Sequence, residues 1–250
     1  MRLALCLAAL VAFAAPVVHA DGLTDMTEAE RAAFNAAVRD YLVQNPEVIV
    51  EAMTELQARE DRAAADRDRQ MLAENHDRIF SSASDWAGGN LDGDVTLVEF
   101  MDYRCTYCHR AFQDVEDLVS SDGNIRFVLK EFPILGEQSV MASKFAIAIR
   151  QLYGDDAYKA AHDALFALRG EVNEESLTRL AKDLGHDAAA VLAQSAKPEV
   201  QAVIDANYAL AGIMDINGTP TFVIDDTMVR GYVPLDGMRQ IVQSARATEG

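Results

Sequence analysis

The stretch VTLVEFMDYRCTYCHR joins a largely apolar run to two cysteines three positions apart, Cys105 and Cys108. The run from Val95 to Tyr103 is β-branched and apolar over strand length, the pattern of a buried strand. After the cysteines, Phe112, Val115, Leu118 and Val119 recur at helical spacing until Gly123. NIRFVLKEF then supplies a second strand candidate. The pair therefore sits where a strand hands over to a helix, as in a β–α–β unit.

Two chemistries use this spacing. Cys105, Cys108 and His109 spell the C-x-x-C-H of c-type haem attachment, and the cysteines alone spell a thiol–disulfide catalyst. The junction favours the second. Only a thiolate attacks a disulfide, so the attacking cysteine needs a lowered pKa. Unpaired N–H groups and the positive end of the dipole at a helix start provide it. Cys105 is expected exposed at that end as the nucleophile. Cys108, one turn later, resolves the mixed disulfide. Thr106 and Tyr107 set how well the helix end holds the thiolate, and His109 adds a cation that tunes it. A haem protein has no need of the strand before the pair. A structural zinc needs four ligands, and only scattered histidines and carboxylates remain. No metal and no cofactor are expected.

The chain has 250 residues and a net charge of −18, which disfavours nucleic acid and anionic membranes as partners. Residues 1–20 read as a signal peptide: Arg2, an apolar run, then VHA with cleavage after Ala20. Two of the three cysteines remain after that cleavage, one close pair rather than a stapled scaffold. The expected location is periplasmic.

Residues 21–80 read as an N-terminal helical arm. Phe34, Val38, Tyr41 and Leu42, then Ile49, Met53 and Leu56, mark an apolar face broken at Asn45-Pro46. The continuation AREDRAAADRDRQMLAENHDRIF is rich in alanine and charge, has too little apolar surface for a core, and reads as a solvated stalk. The arm either lies on its own domain or builds a homo-oligomer, such as a trimer, through residues 24–80. SSASDWAGGNLDGD reads as a linker. From about 137 to 214 the chain is helical, with Gly154, Gly170 and Gly185 as stops. TFVIDD and MVRGYV form a hairpin, and PLDGMRQIVQSAR a closing helix. His162 and His186 carry no ligand spacing. Residues 81–250 thus form one α/β domain interrupted by helices.

VEFMDYRCTYC followed far downstream by NGTPTFVID resembles the thioredoxin superfamily, and within it the DsbA-like periplasmic oxidoreductases. The arm, with YLVQNPEVIVEAM, is similar to the ScsC-type members. The resemblance implies a thioredoxin-like fold with an inserted helical domain, preceded by the extended arm. It implies a cis bond between Thr219 and Pro220, facing the cysteines, with that loop binding an extended substrate segment. It also implies that Glu99, six residues before Cys105, lies beneath the site and handles the proton of Cys108. Burial would raise its pKa toward neutrality. Lys130 and Glu131 would extend that charged network, while Asp102 and Arg104 read as surface charges. The implied substrates are misfolded or reduced exported proteins, with a membrane redox partner. The x-Tyr dipeptide and the Thr before proline lean toward a disulfide isomerase or reductase. A dithiol oxidase is the alternative. A chaperone or copper-binding module, with the cysteine pair as thiolate ligands, is the other. Thr106 departs from the family, where Gly or Pro often stands.

Overall fold

The computed structural model describes residues 26–248, so the expected signal peptide lies outside the described residues. They divide into two compact units with the boundary between Glu60 and Asp61. Among the described residues no helix is long and apolar enough to cross a membrane.

The first unit is helical. Helix α1 (Glu28–Gln44) starts on a capping box in which the Thr27 side chain and Glu30 satisfy each other's backbone N–H groups. It ends at Asn45, ahead of Pro46, and α2 (Glu47–Glu74) begins in the next turn. The break follows from the proline, which starts a helix well and disfavours helix in the residue before it. Phe34, Val38, Tyr41, Ile49, Met53 and Leu56 are all exposed.

The second unit is built on a five-stranded sheet of order β1-β3-β2-β4-β5. Strands β2 (Val95–Met101) and β3 (Ile125–Glu131) are parallel at its centre, and β4 (Thr221–Ile224) and β5 (Thr227–Arg230) form the antiparallel hairpin. The central strands are apolar almost throughout because both faces are covered. On one face Leu97, Met101, Phe127, Leu129 and Phe222 pack under α4 (Thr106–Asp122) and α10 (Leu235–Thr248). Between β3 and β4 run α5 (Glu137–Tyr153), α6 (Asp155–Ala167), α7 (Glu174–Asp183), α8 (Ala188–Ser195) and α9 (Pro198–Ile213), the expected helical insertion.

Two expectations fail here. The linker contains an edge strand, β1 (Trp86–Gly89), antiparallel to β3. Trp86 is buried and its indole N–H donates to the Asp155 carbonyl, so one aromatic anchors a strand that two glycines otherwise conceal. The stalk is not wholly solvated either. Leu72 at the end of α2 and Ile79 in α3 (His76–Phe80) are buried against Val98, Phe100, Val128 and Val223 on the other face of the sheet. Few apolar residues suffice because the strands, together with Phe132 and with Leu210, Ala211, Met214 and Ile216 at and just past the end of α9, supply most of that core.

Candidate active site

Cys105 is the N-cap residue of α4, with extended backbone angles, and Cys108 lies in the first turn. Neither is in a disulfide. The turn that delivers them is held by Asp102. Its two carboxylate oxygens accept from the backbone N–H of Arg104 at 2.7 Å and of Leu135 at 3.0 Å. Asp102 is fully buried, which overturns its reading as a surface charge. A short acidic side chain accepting from a backbone N–H two residues on is a turn-builder. Arg104 is exposed, as expected.

The loop before β4 completes the site. The Thr219–Pro220 peptide is cis, and the Thr219 carbonyl accepts from the Cys105 thiol at 3.1 Å. Cys105 is only 6% exposed, not open to solvent as expected, because this loop covers it. Thr106 and Tyr107 are exposed on the first turn. The Nε2–H of His109 donates to the Tyr103 carbonyl at 2.8 Å, so this ring ties the helix start to the turn before it.

The electrostatics separate the two thiols. The Cys105 pKa falls from about 9 to about 5, chiefly because the Cys108 thiol hydrogen-bonds to its sulfur. Burial opposes this, and the Thr219 side chain and the N–H groups of Cys108 and Tyr107 reinforce it. Cys108 moves the other way, pushed far up by burial, then by its bond to Cys105 and by the charge of Glu99. Glu99 is buried on the same face of β2, and burial lifts it to about 8, with Glu116 and Cys105 adding to the rise. The site thus juxtaposes a ready thiolate, a protonated thiol and a carboxyl that holds its proton near neutrality.

Lys130 does not join this network. In register it pairs with Phe100, which places it on the opposite sheet face from Glu99. There its ammonium is bonded to Asp85 and to the Arg78 carbonyl. Glu131 shares the Glu99 face but is engaged by Tyr103 and Tyr158. His162 is core, within 3.1 Å of the Tyr103 hydroxyl. Nothing in the spacing of Tyr103, Glu131 and His162 signals that they meet. Among the described residues, no group of three or more His, Cys, Asp or Glu side chains is arranged to hold a metal ion.

Comparison with known proteins places this geometry. Residues 96–243 match the DSBA-like thioredoxin domain, and residues 30–63 match the copper resistance protein ScsC N-terminal domain. A thioredoxin-like oxidoreductase from Silicibacter pomeroyi DSS-3 is 41% identical over 69% of this chain and 98% of its own, with a TM-score of 0.65. Proteus mirabilis ScsC in a transitional conformation is 28% identical over 89% of this chain and all of its own, with a TM-score of 0.66. Among curated relatives, a Na(+)/H(+) antiporter, NhaA 1 of Salinispora arenicola, is 27% identical over 65% of this chain. The chain spans about a quarter of the length of that antiporter. With its catalytic-type domain matched over residues 96–243 and its arm matched as well, the chain belongs to the DsbA-like thioredoxin family and carries an N-terminal domain of the ScsC type.

Proposed function

We propose that this chain is a periplasmic thiol–disulfide oxidoreductase acting on exported proteins, with isomerase or reductase action favoured over oxidase. One observation carries the reading: a free thiol of low pKa at a helix start, in contact with the carbonyl of a cis-proline loop. Cys105 thiolate attacks a substrate disulfide and expels one substrate sulfur as thiolate, forming a mixed disulfide. In isomerisation the freed substrate thiolate attacks elsewhere and a substrate sulfur finally displaces Cys105. In reduction Cys108 attacks Cys105, the substrate leaves with both electrons, and a Cys105–Cys108 disulfide remains. The Cys108 proton must then leave, and Glu99 beside it is the acceptor in its ionised form, which is reached as pH approaches 8.

Thr219 and Pro220 bind the substrate chain. The exposed side chains of Tyr107, next to Cys105, and Leu135, whose N–H is fixed to Asp102, give that chain apolar surface to lie on. Thr106, Tyr107 and His109 tune the thiolate from the first helical turn. The exposed apolar face of the first unit supports assembly of several copies around one client. A membrane partner would reset the cysteine pair.

The match of residues 30–63 to a copper resistance protein's N-terminal domain favours a second reading, with Cys105 and Cys108 holding Cu(I). Recovery of a scrambled, wrongly disulfide-bonded test enzyme in a mildly reducing buffer decides between them. Cys105-dependent recovery supports the isomerase. Rapid oxidation of a fully reduced test enzyme instead supports an oxidase. Stoichiometric Cu(I) retention with little exchange supports a carrier.

A further inference from the structure

Another buried carboxyl lies behind the cysteine turn, unused by the chemistry above. Glu131 at the end of β3 is 3% exposed. Its Oε1 accepts from two phenols, Tyr103 at 2.9 Å and Tyr158 at 2.7 Å. Tyr103 stands two residues before Cys105, and its carbonyl receives the His109 N–H. Tyr158 belongs to α6 in the helical insertion and stacks on Trp86 of β1. One oxygen therefore joins the cysteine turn, the sheet and the insertion. The other oxygen, Oε2, is buried and makes no hydrogen bond of normal geometry, although the Ser143 hydroxyl on α5 interacts with the carboxyl closely enough to lower its pKa. A carboxylate with one saturated oxygen and one orphaned oxygen is a poor permanent charge, and the orphaned side is open to a proton.

We propose that Glu131 is a positioning residue for Cys105, whose charge grips Tyr103 and so clamps the cysteine turn against the helical insertion. The clamp is strong when Glu131 is ionised, because hydrogen bonds to a charged acceptor are about twice as strong as neutral ones. It slackens when Oε2 takes a proton. Burial raises the Glu131 pKa to about 7. Ser143, Tyr158 and Tyr103 pull it down and the nearby Asp102 pushes it up. His162, which also faces Tyr103, is held neutral by burial, its pKa near 3. From α9, Asn207 donates only to the Glu131 backbone carbonyl. The switching group on this side of the turn is therefore Glu131.

The proposal rests on Cys105 being a low-pKa thiol, so its test reads thiol reactivity rather than turnover. The full chain, reduced and carrying Glu99→Gln to remove the carboxyl beside Cys108, is alkylated with iodoacetamide across the pH range. The Cys105 adduct is followed by mass spectrometry. Alkylating a thiol that is 6% exposed needs the cysteine turn to move away from the Thr219–Pro220 loop that covers it. The rate should rise with the thiolate near pH 5, then fall about twofold to fivefold through pH 7 as the clamp closes. Glu131→Gln keeps the shape and should abolish the fall, as should Tyr103→Phe. Tyr158→Phe takes one donor from the carboxylate and should move the fall to higher pH. A profile with no fall near neutrality, or a fall that survives Glu131→Gln, overturns the proposal. An ordinary thiol profile for Cys105 in every variant instead overturns the reading beneath it.

Discussion

The Cys105 thiol and the Thr219 carbonyl, 114 residues apart in sequence, meet at 3.1 Å. A sulfur that touches the loop proposed to hold substrate is already where a bound disulfide would arrive. Its charge state depends mainly on its neighbour, since the Cys108 thiol is the largest cause of the lowered pKa. On the rising limb of its pH profile, alkylation of Cys105 should be half-maximal near pH 5. Cys108→Ala should move that midpoint up by about one unit or more, and Thr219→Val by less. An unchanged midpoint in Cys108→Ala contradicts this ordering.

Glu99 should make stability depend on pH in a defined direction. Its folded pKa, about 8, lies above its ordinary value near 4.5. Between those pH values the folded chain keeps a proton that the unfolded chain has released, so stability falls as pH rises. Glu99→Gln removes that loss. The variant should gain roughly 1–3 kcal/mol over the parent at pH 8 and little at pH 4. Denaturant melts at both pH values measure it. At pH 8, where Glu99 is about half ionised, the same variant should slow release of reduced substrate, because Cys108 loses its proton acceptor.

The Lys130–Asp85 pair is structural. Its side chains are 1% and 2% exposed. Burial pushes the Lys130 pKa down and the Asp85 pKa up, against the attraction between them. Lys130→Met should cost about 3–5 kcal/mol, because it leaves a buried carboxylate uncompensated. Asp85→Leu added to Lys130→Met should recover most of that loss in a urea melt, and the cysteine chemistry should be unaffected in the double variant.

Assembly is tested by truncation at the boundary between the units. Removing residues up to Glu60 deletes the exposed apolar face of α1 and early α2 but spares Leu72 and Ile79 in the core. The shortened chain should sediment as a monomer where the full chain does not. Equal subunit number in both removes the arm from assembly. A cut at residue 80 would instead expose part of the core of the second unit.

Much of the architecture was legible in the chain because its signals are local. The apolar run before Cys105, the spacing behind it, Asn45-Pro46 and the Thr219-Pro220 pair each act over a few residues. What was not legible depends on partners distant in sequence. The strand at Trp86 carries two glycines and is identified by pairing with β3. Leu72 and Ile79 are sparse in a charged stretch, and only the sheet and the end of α9, distant in sequence, make them core. Asp102 looks like a surface charge until Leu135 brings its N–H. Lys130 and Glu131 are adjacent in sequence, yet strand alternation sends them to opposite faces.

The central claim is that Cys105 is the attacking sulfur and Cys108 the resolving one. Trapping tests it most directly. The Cys108→Ser chain, reduced and mixed with a disulfide-bonded peptide at neutral pH, should accumulate a mixed disulfide, and peptide mapping should place it on Cys105. The Cys105→Ser chain should form almost none. An adduct on Cys108 at a comparable rate, or none on Cys105, would contradict the account.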